Sequence, residues 1–150
     1  TGLQWWGCGA ILCFLAEKAG QLWSKDFHAK WRVVEWLIWQ VGGAGPFLGQ
    51  THHFVKFNPG KSVYAEERYA KEAKRIWGVL NKRLGEVEYV AGDYSVADIA
   101  LWPWISRFAW QAVDFADHPH VTRWYEAIAG RPAVQRGWDV LEEGRPIPMP

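Results

Sequence analysis

The sequence predicts an all-α fold. Apolar side chains recur every three or four residues, and no segment alternates with period two. A Ser-x-x-Asp cap at Ser95 to Asp98 opens one of the periodic stretches, and glycine or proline stands between most of the others.

The first helix is predicted over 9–19 (GAILCFLAEKA). Ile11, Leu12, Phe14 and Leu15 leave little polar face, so it should be covered on several sides, and Gly20 is its C-cap. A second helix is predicted over 26–41, capped by Asp26, with Phe27, Trp31, Val34, Ile38 and Val41 as a one-sided apolar seam and Trp36 and Trp39 beside it. Gly42, Gly43, Gly45 and Pro46 should weaken or kink that helix, leaving 47–60 as a broken end plus loop.

A long third helix is predicted over 62–84, burying Tyr69, Ala73, Ile76, Leu80 and Leu84 and stopped by Gly85. The connector 86–94 contains a Gly-Asp turn. Ser95 and Asp98 then form a variant capping box, flanked by Tyr94 and Ile99 at the hydrophobic-staple positions. The fourth helix should run to about residue 112, bent at Pro103. A fifth begins at Pro119 and stops at Gly130, and a sixth runs from Pro132 to about Val140. The tail, GRPIPMP, reads as extended.

Composition excludes several functions. Seventeen Lys and Arg against 16 Asp and Glu give a net charge of +1, which argues against a nucleic-acid binder. No apolar run reaches the length of a membrane span. Cys8 and Cys13 make no disulfide framework; on a helix they point about 140° apart, and they read as free thiols in a reducing, cytoplasmic setting. The chain begins at Thr1 without methionine, so its start has been removed or it is a piece of something longer.

His52-His53 lacks carboxylate or cysteine partners at metal-ligand spacing, so no metal site is expected and a polar loop contact is the plain reading. Asp98 is explained by its cap and Asp93 by its turn. Arg68 lies at the border between the buried stripe and the surface; its planar fork suits a carboxylate ligand, or an intrahelical partner at Glu72 or Glu67. On the residues alone there is no self-contained catalytic apparatus, and two classes stay open: a helical interaction module, or part of an enzyme.

The order of motifs resembles the glutathione transferases. Gly9 to Lys18 is similar to the last helix of their thioredoxin-like domain. Trp36 to Phe54 (WLIWQVGGAGPFLGQTHHF), Tyr64 to Tyr69, Gly92 to Trp104 and Arg131 to Arg136 are similar to their C-terminal helical domain. The GGxGPxLGQxHHF segment resembles a nu-class-like bacterial subgroup of disulfide-bond reductases that use two glutathiones instead of a catalytic cysteine.

This resemblance implies a helical bundle of the C-terminal type, with the thioredoxin-like domain essentially missing. It implies four segments: a non-matching 1–8, a remnant helix at 9–20, an all-α domain at 26–141 and a proline-rich tail at 142–150. The run TGLQWWGC fits the family poorly and reads as out-of-frame or fusion-derived. The family's Glu-Ser pair, which binds the γ-glutamyl end of glutathione, falls at Gly7 and Cys8, so the carboxylate is lost and a thiol replaces the hydroxyl. Arg68, in the matching Glu-Arg-Tyr, is implied to face glutathione. Phe47, Gln50 and Trp104 are implied members of a second-substrate cleft. Glutathione as co-substrate, a small electrophile or disulfide, and a homodimer or a thioredoxin-like half follow as implied partners, and the chain alone is expected to be nearly inactive.

Overall fold

A computed structural model describes Gln4, residues 6–140 and residues 143–150. Half of the expected segment 1–8 (residues 1–3 and Trp5) and the 141/142 boundary of the expected tail lie outside the described residues.

Among the described residues seven α-helices follow in order: α1 (Cys8–Ala19), α2 (Phe27–Trp39), α3 (Gly45–Thr51), α4 (Val63–Glu86), α5 (Val96–Ile105), α6 (Pro119–Ala129) and α7 (Pro132–Asp139). There is no strand among the described residues, only an isolated bridge between Tyr89 and Gly92. Helix α5 is central and touches α1, α2, α3 and α6, while α4 packs on α3 and α6. The core is continuous and built around Trp77, Trp124, Tyr125, Leu48, Ile76 and Leu101.

Several expectations hold. Gly20 closes α1 in the left-handed region at φ 63°, and Asp26 caps α2 by accepting the Ala29 N–H at 2.8 Å. The capping box of α5 is complete, with Asp98 Oδ2 accepting the Ser95 N–H at 3.0 Å. Ala73, Ile76, Leu80 and Leu84 are buried as predicted, whereas Tyr69 is half-buried. Gly85 does not end α4, which runs one residue further. There the Arg123 guanidinium takes up the end of the helix by donating to the carbonyls of Leu84, Val87 and Glu88.

Other expectations are corrected. The chain does not break at Gly42 to Pro46. Two π-helical segments, Gln40–Ala44 and His52–Phe57, flank α3 and keep the path helical from α2 to Phe57. The Gly45 N–H bonds back to the Gln40 carbonyl, five residues away, so the wide turn takes up an extra residue just before Pro46, whose missing N–H falls in the first turn of α3.

The predicted seam of α2 faces outward. Phe27, Trp31 and Ile38 are 67%, 56% and 64% exposed, while Val33, Leu37, Gln40, Ala44 and Leu48 point into the core. Helix α5 ends at Ile105, earlier than expected, because the chain tightens into a 3₁₀ turn at Phe108–Trp110. The tail turns back on the bundle: the Tyr125 hydroxyl donates to the Pro148 carbonyl at 2.6 Å.

Candidate functional site

Four of the site residues expected from the sequence line two separate cavities, Phe47 and Arg68 on one, Cys8 and Trp104 on the other. The first, of about 600 Å³, lies along the start of α4 and is lined by Phe47, Tyr64, Glu67, Arg68, Lys71, Glu72 and Arg75. Its acids are unequally occupied. Arg75 takes Glu72 in a forked contact, with Nε at 2.9 Å and Nη2 at 2.6 Å, and this pairing holds the Glu72 carboxyl below its ordinary range. Of the two intrahelical partners expected for Arg68, Glu72 gives its hydrogen bonds to Arg75, while the Arg68 charge still acts on it at longer range. Arg68 makes no hydrogen bond or ion pair among the described residues, and its exposed fork stands on the cavity wall. Phe47 leans on Tyr69, which stacks on Phe54 at 5.5 Å, so the apolar side of the cavity is fixed by an aromatic cluster.

The second cavity, of about 690 Å³, lies between α1 and α5. Its walls include Cys8, Leu12, His52, Trp104, Arg107 and Trp110. Cys8 is exposed at the first position of α1. Trp104 rests on a glycine platform, so close that a Cβ on Gly45 would stand 3.1 Å from its ring. Gln50 is exposed and lines neither cavity. Ser95 and Asp98 are buried in their cap, away from both.

His52 was expected in a polar loop; instead it is 8% exposed, stacked on Trp104 at 6.0 Å and edge-on to Trp110 at 5.5 Å. Behind it lies Gln111, fully buried. Gln111 Oε1 accepts the Trp77 indole N–H at 2.7 Å, and its amide nitrogen meets the Trp104 carbonyl at 2.7 Å and His52 Nε2 at 3.0 Å. Burial first, and the Arg107 charge second, push His52 down to about 4, so the ring is neutral at pH 7. No group of three or more His, Cys, Asp or Glu residues among those described is arranged to hold a metal ion.

Sequence reasoning missed His52, Arg107, Trp110 and Gln111. A usable signal existed for His52. Ala44, Leu48 and His52 are spaced by four, so the true core register of this helical run passes through the histidine.

The all-α bundle with its capped central helix defines a C-terminal domain of the transferase type. Residues 64–127 match the glutathione S-transferase C-terminal domain family. The chain is 48% identical over 127 residues to the disulfide-bond oxidoreductase YfcG of Escherichia coli, covering 84% of this chain and 59% of that protein. It is 34% identical over 155 residues to the glutathione S-transferase-like protein tpcF of Aspergillus fumigatus, covering 91% of this chain and 69% of that one. A crystal structure of a glutathione transferase from Burkholderia graminis, with two glutathione molecules bound per subunit, superposes with a TM-score of 0.86. The identity is 38%, over 95% of this chain and 62% of that one. The chain belongs to the glutathione S-transferase family. It spans about six-tenths of the length of the Escherichia coli relative.

Proposed function

We propose that this chain supplies the helical side of a glutathione-binding cleft in a transferase of the disulfide-reductase type. The observation that carries the reading is Arg68, a guanidinium without an ion pair on the wall of the α4 cavity, in a fold whose solved relatives hold glutathione. Glutathione carries two carboxylates, and a free planar fork is the group that grips one of them in two parallel hydrogen bonds. The cavity between α1 and α5, with Trp104 as its floor and Cys8 at its rim, takes the second substrate, a small electrophile or disulfide.

Glutathione itself supplies the reactive thiolate. In disulfide reduction a thiolate attacks one sulfur of the substrate, forms a mixed disulfide and expels the other sulfur as thiolate; a second glutathione thiolate then releases glutathione disulfide. The residues described here bind and orient. The group that lowers the thiol pKa is assigned to a thioredoxin-like half, whose natural docking face is the outward side of α1, where Phe14 and Leu15 are exposed. The Phe27, Trp31 and Ile38 stripe of α2 is assigned to a second copy. The setting is taken as cytoplasmic.

The purified chain, given glutathione and a small aliphatic disulfide, should produce glutathione disulfide no faster than the uncatalysed reaction. Turnover well above that background contradicts the assignment of the thiolate-activating group to another half. A second reading, a helical interaction module without catalysis, is favoured by the two exposed apolar faces. It predicts a stable partner complex whose strength is indifferent to glutathione.

A further inference from the structure

Residues 145–150 lie on the bundle as a bound peptide lies on its receptor. Pro146, Pro148 and Pro150 alternate with Arg145, Ile147 and Met149. Each backbone unit is therefore fixed by its own ring or pushed to an extended conformation by the ring that follows. Such a segment is a preformed polyproline-II strand, which loses little entropy on docking. Residues 146–150 make a single hydrogen bond to the bundle among the described residues, from the Tyr125 hydroxyl to the Pro148 carbonyl at 2.6 Å. Ile147 packs on the core, and the Arg145 guanidinium stands 5.4 Å from the centre of the Trp138 ring.

The surface beneath is aromatic and acidic. Tyr125 stacks on Trp102 at 5.1 Å, and Trp102 meets Trp138 edge-on at 5.8 Å, so three rings form a continuous base. A cavity of about 520 Å³ stays open between the tail and helices α6 and α7. Glu126 and Asp139 line it, both exposed and neither in a hydrogen bond or ion pair among the described residues. Trp138 lines it too, and its indole N–H is buried without an acceptor. The tail thus leaves two acids and one indole donor unused. Gly144, in the left-handed region at φ 75°, turns the chain just before the tail begins.

We propose that this groove on α6 and α7 is a docking site for basic, proline-rich peptides, with the chain's own tail as its displaceable occupant. The seated tail shows the kind of backbone the groove accepts. The two free acids select a basic residue by charge complementarity, and the Trp138 N–H suits a peptide carbonyl of the kind that Tyr125 already holds. A tethered tail competes at an effective concentration on the order of millimolar, so a peptide that uses the acids and the indole displaces it. The groove shares no residue with the α4 cavity, and its test uses no glutathione.

The test titrates a fluorescein-labelled peptide, GRPIPMP, into the full chain and follows its anisotropy, beside the same peptide with glutamate in place of arginine. A second chain carries Pro146→Gly with Pro148→Gly, which loosens the tail and leaves the bundle untouched. We expect the arginine peptide to bind the loosened chain about tenfold more tightly than the native one. We expect it to bind about tenfold more tightly than the glutamate peptide, a preference that Glu126→Gln with Asp139→Asn erases. In the native chain the Trp138 indole N–H resonance should move as the arginine peptide is added. Equal affinity for the two peptides, equal affinity of the native and loosened chains, no binding to the loosened chain, or a Trp138 resonance that stays fixed overturns the proposal. The substitutions lie in the tail or on exposed acids, and the resonance is read on the native protein, so a variant that folds poorly leaves the test intact.

Discussion

The Trp124 indole N–H donates to Asp98 Oδ1 at 2.8 Å, tying α6 to the first turn of α5 inside the core. The same carboxylate accepts the N–H groups of Val90 and Ser95 and the Ser95 hydroxyl. One buried side chain thus caps a helix, anchors the turn before it and holds a second helix. Asp98→Ala leaves these donors without a partner and should cost about 3–5 kcal/mol, with Trp124→Phe costing about 1–2. Urea unfolding of the three proteins checks the ranking.

Stability should fall on the acid side because of His52. The unfolded imidazole takes up a proton near 6.5, whereas the folded one resists until about 4. The contribution is complete above pH 6.5 and is lost as the pH falls toward 4, by about 3 kcal/mol in full. Asp98 acts in the opposite sense. Burial raises its folded pKa above 3.8, so its contribution is present below 3.8 and is lost as the pH rises through the folded value. The drop in urea midpoint from pH 7 to pH 4.5 should be smaller for His52→Phe than for the native chain.

The π-helical turn before α3 sorts its glycines. A Cβ at Gly45 meets Gln40 Nε2 at 2.7 Å, the Trp104 ring at 3.1 Å and the Gln40 carbonyl at 3.2 Å, whereas one at Gly43 meets nothing within 4 Å. Gly45→Ala should cost about 1–3 kcal/mol by overpacking, and Gly43→Ala should gain about 0.5–1 through the unfolded state. Thermal melts of both variants settle the sign of each.

The exposed α2 stripe should drive self-association. Trp31→Glu combined with Ile38→Glu should lower the mass found by sedimentation equilibrium to that of one chain, with the melting temperature of the monomer nearly unchanged, since both side chains face outward. An unchanged mass assigns the stripe to another role.

Helix existence was legible because capping and periodicity act locally. Asp26, Ser95, Pro119 and Gly20 mark real ends. The α2 face was misread because an apolar stripe carries no label for what covers it. Phe27, Trp31 and Ile38 are as periodic as Val33 and Leu37, and larger, yet the smaller set faces the core. The run through Pro46 was misread because a π turn, a tertiary adjustment around Trp104 and Gln40, rescues a sequence that looks broken. Of the site, the Arg68 and Trp104 positions came from family motifs. His52, Arg107 and Gln111 emerge only when segments some 55 to 60 residues apart in sequence meet.

The central claim is that Arg68 helps this chain hold glutathione, and the melting temperature tests it most directly. At a glutathione concentration ten times Kd, mass action stabilises the folded chain by about 1.4 kcal/mol, a rise of about 3–6 °C for a domain of this size. Arg68 is exposed and unpaired, so Arg68→Ala should melt at the native temperature without ligand and lose most of the rise with it. No rise with glutathione or its disulfide, or an equal rise in both proteins, contradicts the account.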